Sequence, residues 1–346
     1  LASNENPLGA SPRVRERLAQ GFDLARYPDG GGFALKARIA EYHGVDPAQI
    51  TLGNGSNDIL EFVSRVFLGP GRAAMYSAHA FAVYPIAAAS QNAESVVVPA
   101  LPADAKDAYG HDLDGFERML RDDVAVIFIA NPNTPPGTCV PAGAIAHFLT
   151  QVPEHVIVVL DEAYWDYQEV ALRPDIDQLL RQYPNLVVTR TFSKVYGLAS
   201  LRVGYGLSSP RVADLLNRVR QPFNNNMMAL AAAEVALQDQ DFVAEAVALN
   251  KREMTRMVAA LSGMKLRTLP SQANFLAIDF GRDAAPIHQA LLQQGVIVRP
   301  MASYAMPSFL RVSIGTEAEN SRFLEALSTI LSSESGISGK TPAQAC

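Results

Sequence analysis

Three polar clusters along this chain could carry chemistry, and each follows a short apolar run. Thr191-Phe192-Ser193-Lys194 follows residues 186–189, Asp161-Glu162-Ala163-Tyr164 follows 156–160, and Asn131-Pro132-Asn133 follows 124–129. A lysine among apolar residues, preceded by hydroxyls and followed by Arg202, joins an amine nucleophile to anion binders. A desolvated lysine beside other cations has a lowered pKa, which a Schiff-base lysine requires. Arg202 offers bidentate hydrogen bonds to a phosphate. A carboxylate such as Asp161 at the end of a buried strand is costly unless paired. A protonated pyridine nitrogen is a suitable partner, and the pairing makes that ring an electron sink. An N-cap aspartate at a strand–helix junction would have the same local sequence.

A fourth cluster, Gly53-Asn54-Gly55-Ser56-Asn57-Asp58, stands between strand-like Ile50-Thr51-Leu52 and a helical pattern carrying Ile59, Leu60, Phe62 and Val63. Glycines permit close backbone approach, Ser56 and Asn57 are good N-cap types, and a helix N-terminus attracts anions. The segment reads as a phosphate cradle or as an ordinary glycine turn before a capped helix.

The elements that position these clusters alternate strand and helix between about residues 26 and 241. Continuous apolar runs suit central strands of a parallel sheet covered on both faces. In open α/β sheets ligands bind beyond the carboxyl ends of the strands, so three polar strand ends predict one shared site. The expected fold is α/β, with a mostly parallel central sheet flanked by helices and a smaller α/β C-terminal domain. A long helix over 242–261 leads into the smaller domain, with strands at 274–278, 296–298 and 310–314 and helices at 284–293 and 319–331. The boundaries are an N-terminal segment 1–28, a large domain 29–241, a small domain 242–331 and a frayed tail 332–346.

Composition is that of a globular protein: 346 residues, 49% hydrophobic, 18% charged and a net charge of −6. A chain this acidic has no general attraction to nucleic acid or anionic membrane. No apolar run approaches the roughly 20 residues of a membrane helix. Two cysteines, Cys139 and Cys346, make a disulfide framework unlikely and point to a reducing cytoplasm. The chain opens without Met, and the natural N-terminus is expected to lie upstream.

Several segments, in order, resemble one family. Thr191-Phe192-Ser193-Lys194, the run Gly197-Leu198-Ala199-Ser200-Leu201-Arg202-Val203-Gly204-Tyr205 and Asp161-Glu162-Ala163-Tyr164 resemble fold-type I pyridoxal-5′-phosphate (PLP) aminotransferases. More narrowly the chain resembles the histidinol-phosphate aminotransferase family. That likeness adds Asn4-Glu5-Asn6-Pro7, Arg26-Tyr27-Pro28-Asp29, Gln221-Pro222-Phe223-Asn224, Gly295-Val296-Ile297-Val298-Arg299-Pro300 and Leu310-Arg311-Val312-Ser313. It spans roughly residues 1–331.

The resemblance implies a PLP-dependent aminotransferase, most simply L-histidinol-phosphate:2-oxoglutarate aminotransferase of histidine biosynthesis, working by a ping-pong route. Lys194 would hold the cofactor and shuttle the substrate's α-proton, Asp161 would pair with the ring nitrogen, and Tyr164 would bond the ring O3′. Ser56, Asn57, Ser193 and Arg202, with Thr191 assisting, would hold the phosphate, and Phe81 would stack on the ring. Tyr27 would reach the neighbouring subunit's cofactor phosphate, which implies a homodimer. Arg311 would grip the substrate α-carboxylate, Arg299 its far end, and Asn6 would also contact substrate. No metal is implied.

Departures from the family pattern bear on the substrate. Thr134 stands where an asparagine usually contacts O3′, with Asn133 as a substitute if the loop shifts, and Pro136 replaces a threonine. Ser200, Asn225 and Ala273 also differ from the usual residues. These keep open an aromatic or specialised-pathway aminotransferase, or a PLP-dependent amino-acid decarboxylase on the same scaffold.

Overall fold

The computed structural model describes residues 1–337, with side chains to residue 333. Seven strands build the main sheet: β1 (Ile50–Gly53), β2 (Ala73–Ser77), β3 (Glu94–Val98), β4 (Val124–Ala130), β5 (Ile157–Asp161), β6 (Leu186–Thr191) and β7 (Gly204–Ser208). Their order is β1-β7-β6-β5-β4-β2-β3, and only the β7 pairings are antiparallel. The expected mostly parallel sheet is therefore present. A second sheet, in the order β10-β11-β9-β8, contains β8 (Arg267–Thr268), β9 (Phe275–Asp279), β10 (Arg299–Pro300) and β11 (Phe309–Ser313).

Among the helices, α1 (Pro12–Ala19), α2 (Phe33–His43), α5 (Leu113–Met119), α6 (Ala142–Gln151), α7 (Ile176–Gln182) and α9 (Met227–Gln238) supply apolar residues to one face of the main sheet. The opposite face packs against α3 (Ser56–Phe67), α4 (Val83–Ser90) and α8 (Pro210–Val219). In β5, Val158 and Leu160 enter the first core while Ile157 and Val159 enter the second. Burial on both faces is why these strands are continuously apolar rather than alternating. The long helix α10 (Gln240–Gly263) leads to the smaller unit, whose core is closed by α11 (Ala285–Gln293) and α12 (Glu317–Ile337).

Three local expectations are corrected. Residues 296–298 form no strand; pairing begins at Arg299, and Val296 and Val298 serve as buried core. Helix α12 continues to Ile337, so the helix does not stop at residue 331. The rest of the expected frayed tail, 338–346 with Cys346, lies outside the described residues. The third concerns the cap of α3: it is Gly55, with no side-chain bond, so Ser56 and Asn57 occupy the first helical turn. No helix among the described residues is long and apolar enough to cross a membrane.

One buried histidine ties the connection between β3 and α5 to the sheet. His111 meets Ser77 Oγ through Nδ1 at 2.6 Å and the Ala130 carbonyl through Nε2 at 2.8 Å. A carbonyl only accepts, so Nε2 carries the proton and Ser77 donates to Nδ1. Burial pushes this imidazole down to about 4, against the bond to Ala130. A depressed folded value means that the stabilisation is complete above the unfolded value of about 6.5 and is lost as pH falls toward 4. His111→Gln is expected to flatten the acid limb of the urea-unfolding profile by about 3 kcal/mol. An unchanged difference between pH 7 and pH 4.5 would refute this role.

Candidate active site

Strand alternation sorts the polar residues at the carboxyl ends of β5 and β6. Asp161, closing β5, faces the side of α4: its Oδ2 accepts from Tyr84 Oη at 3.0 Å and its Oδ1 from Thr189 Oγ1 at 2.8 Å. On β6, Thr189 therefore shares a face with Asp161, and Arg190 points the other way, where it bonds Glu162 at 2.8 Å. Burial raises the Asp161 carboxyl, while the bonds from Thr189 and Tyr84 and the charge of Lys194 pull the other way. Thr189, Tyr84 and the Ala163 N–H, all neutral donors, satisfy its hydrogen bonding, and no cation is bonded to it. That is a seat for a cation.

Lys194 follows β6 in the connection to β7. Its Nζ donates to the Ser3 carbonyl at 3.2 Å and stands 5.5 Å from the centre of the Tyr164 ring. Tyr164 is buried, edge-on to Phe275 at 5.3 Å, and its Oη accepts from Asn4 Nδ2 at 2.8 Å. Burial works to raise this phenol, yet Lys194 and Arg311, with the Asn4 and Thr134 bonds, hold it below the ordinary value.

The glycine segment and Arg202 come together at the start of α3, where they could hold an anion. Gly55 has φ +79°, and a Cβ there would stand 2.6 Å from Arg202 Nη2. Only glycine lets the guanidinium lie against the start of α3, where the first-turn N–H groups are free. Arg202 itself has φ +56° and donates to Ser193 Oγ at 3.3 Å and to the carbonyls of Ala199 and Asn54 at 3.0 and 3.2 Å. Ser56 and Ser193 are buried beside it, and Thr191 Oγ1 accepts from the Ser193 amide. Asn225, one of the departures, donates to the Gly53 carbonyl at 2.8 Å and so braces this loop.

Other expected residues sort differently. Phe81 is half-buried and edge-on, at 5.9 Å, to Tyr84, which donates to Asp161. Asn6 spends its amide on backbone, donating to Val195 O at 2.7 Å and accepting from Leu8 N at 3.0 Å; it ties the N-terminal segment down instead of facing the site. Asn133 is fully buried and both its amide atoms lack partners. Thr134 Oγ1 accepts from Arg311 Nη1 at 3.4 Å and bonds Tyr164. Tyr27 is 79% exposed and stacks on Phe223 at 4.7 Å in a surface cleft shared with Ser200, away from Asp161's partners.

Arg311 on β11 is buried, its Nε has no partner, and its Nη2 donates to the Ala2 carbonyl at 3.1 Å. Burial and the charge of Arg299 both act to lower it, against the pull of Tyr164 and Tyr304. Arg299 on β10 is its direct cross-strand partner. Like charges directly opposite are destabilising, and neither has a carboxylate within 4.0 Å among the described residues. An anion between them relieves both. Sequence reasoning missed Thr189, Tyr84, Asn4 and Ser313; of these only Thr189, two residues before Thr191 on one strand face, carried a readable signal.

The chemistry of PLP fits this residue set. There is a buried carboxylate bonded only to neutral donors, an amine beside a phenol, a guanidinium against a helix start and an orphaned buried amide at Asn133.

Comparison with known proteins gives the same direction. The family model described as aminotransferase class I and II matches residues 1–327. The chain is 56% identical over 335 residues to histidinol-phosphate aminotransferase 2 of Pseudomonas fluorescens, covering 96% of this chain and 88% of the relative. It is 55% identical over 332 residues to the protein of that name from Pseudomonas aeruginosa, with the same coverage. The crystal structure of histidinol-phosphate aminotransferase from Sinorhizobium meliloti, in complex with pyridoxal-5′-phosphate, superposes with a TM-score of 0.90 at 30% identity, covering 96% of this chain and 90% of that one.

Proposed function

The chain belongs to the class I and II aminotransferases, and we propose that it exchanges amino groups between L-histidinol phosphate and 2-oxoglutarate with PLP as cofactor. The observation that carries the substrate reading is the cross-strand pair Arg299 and Arg311, two guanidiniums without carboxylate partners at the edge of the site. When bound, PLP supplies an aldehyde that condenses with amines and a cationic ring that withdraws electrons from the substrate's α-carbon.

Asp161 would hold the ring nitrogen in its cationic form, while Thr189 and Tyr84 keep the carboxylate aimed. Ser56, Asn57, Ser193 and Arg202 would bind the cofactor phosphate, and Phe81 would cover the ring. Lys194 Nζ is the amine that would hold the cofactor, accept the substrate's α-proton once freed, and deliver it to the cofactor's C4′, two bonds away across the nitrogen. Tyr164 would donate its phenolic proton to the ring oxygen. Arg311 would take the α-carboxylate of glutamate or 2-oxoglutarate, and Arg299 the phosphate of histidinol phosphate or the second carboxylate. Tyr27, exposed on its own chain and stacked on Phe223, would serve a second copy's site, which supports a homodimer. The absence of a membrane-length helix among the described residues is compatible with the cytoplasm as its place of work.

Absorption of the PLP-loaded protein, titrated separately with L-histidinol phosphate, glutamate, phenylalanine and tyrosine, tests the reaction and the substrate together. Conversion of the cofactor to its amine form by histidinol phosphate and by glutamate is expected. Conversion by the aromatic amino acids alone would move the enzyme to another pathway, and release of carbon dioxide without the amine form would make it a decarboxylase. Arg299→Ala is expected to lower kcat/KM for histidinol phosphate about 10- to 100-fold, the worth of a charged hydrogen bond, and for phenylalanine far less. Equal losses would remove Arg299 from the phosphate-reading role.

A further inference from the structure

The N-terminal segment lies across the site and touches it at successive residues. The Leu1 carbonyl accepts from Ser313 N, that of Ala2 from Arg311 and that of Ser3 from Lys194. Asn4 then inserts its side chain. It is 1% exposed and has φ +57°, a conformation that asparagine tolerates better than most residues. Its carbonyl accepts from Asn274 Nδ2 at 3.0 Å, and its Nδ2 donates to Tyr164 Oη at 2.8 Å.

Ser313 decides which end of the Asn4 amide meets Tyr164. Ser313 Oγ accepts from the Asn4 backbone N–H at 2.8 Å, so its own proton goes to Asn4 Oδ1 at 3.0 Å. The oxygen of the amide is thereby occupied by a donor, and the NH₂ end must face the phenol. Thr134 repeats this logic from the other side. It accepts from Arg311 Nη1, which leaves its hydroxyl proton for Tyr164. Tyr164 Oη thus receives two hydrogen bonds, and its own proton has no acceptor among these neighbours.

We propose that Asn4 is a positioning residue, polarised by Ser313, which with Thr134 fills the acceptor capacity of Tyr164 and commits the phenol to donate to the bound cofactor. This rests on the reading that Tyr164 touches PLP. Docking of the N-terminal segment on β11 is then coupled to the donor strength of Tyr164, because Ser313 and Asn4 belong to both contacts. The charged and titratable groups facing this phenol are Lys194 from the connection after β6, Arg311 from β11, and Tyr84 and Tyr167 from the large domain. The two cations act in the same sense as the amide, and the two neutral phenols add no charge at neutral pH.

The test is the titration of Tyr164 in the full-length chain without added cofactor, followed by NMR of tyrosine labelled at Cζ and assigned with Tyr164→Phe. Asn4→Gly removes the donor while keeping a backbone that glycine adopts freely. It is expected to raise the Tyr164 midpoint by about one pH unit, tenfold in acidity. Asn4→Asp keeps the shape and the Ser313 bond but places an oxygen against the phenol, and should raise the midpoint further. A merely structural role predicts that Asp behaves like Asn, and an unmoved midpoint in either variant overturns the proposal. In the PLP-loaded enzyme the pH midpoint of the cofactor band should follow the same series. If Tyr164→Phe leaves that band unmoved while the NMR series holds, the cofactor contact is wrong and the positioning role stands.

Discussion

Lys194→Ala is expected to lower the rate of amino-group exchange by about 10⁴-fold or more, with the protein still folded. General acid–base catalysis alone contributes roughly 10²–10⁴-fold, and this amine is also the covalent anchor in the reading above. The fold should tolerate the change, because Lys194 Nζ makes one hydrogen bond, to the Ser3 carbonyl, at a partly exposed position. Single-turnover kinetics of the PLP-loaded variant check it. Lys194→Arg should be as inactive within about tenfold, since a guanidinium keeps the charge but cannot give up its proton at any working pH. A Lys194→Ala enzyme that turns over normally would end the assignment of this residue, and with it the central reading of the site.

Asp161→Asn should separate two effects of opposite sign. At neutral pH the cofactor-free protein carries a buried carboxylate whose donors, Thr189, Tyr84 and the Ala163 N–H, are all neutral, with no counter-charge within its bonds. Burial raises its folded pKa. A raised carboxyl stabilises the fold while protonated, and that contribution is lost as pH rises through the raised value. The neutral amide removes the penalty, so the cofactor-free variant should melt at the same temperature as the parent or higher at pH 7. Turnover with PLP should fall about 10²–10⁴-fold, in keeping with the roughly 3–5 kcal/mol lost when one member of a buried ion pair is removed. Calorimetry on cofactor-free protein and initial rates on loaded protein read the two arms. A variant that melts lower and still turns over normally would make Asp161 a structural residue.

Much of the site was legible because adjacent residues carry it. Thr191 to Lys194, Asp161 to Tyr164 and Gly53 to Asp58 are contiguous, and each stands where a buried strand ends, so residue type and position announce the chemistry together. Arg311 and Arg299 were legible only through family resemblance, since a lone arginine on a strand has no local signature. Asn6 and Asn4 show the limit. Both belong to one motif, yet Asn6 spends its amide on the backbone while Asn4 reaches Tyr164. The choice depends on the left-handed turn at Asn4 and on Ser313, which is far away in the chain. Thr134 is similar: it reads as an impoverished asparagine, but in the fold it relays between Arg311 and Tyr164.

By itself, the sequence determined the α/β class, the apolar character of β4, β5 and β6, and the clusters at their ends. These follow from local physics: chain periodicity, burial on both sheet faces and the chemistry of neighbouring side chains. The tertiary structure alone decided that Thr189 and Tyr84 aim Asp161, that Arg299 stands opposite Arg311, and that the N-terminal segment crosses the site to set the Tyr164 hydroxyl. Those arrangements join residues separated by much of the chain. Register, strand order and domain packing place them within hydrogen-bond reach, and no periodicity within a segment encodes that distance.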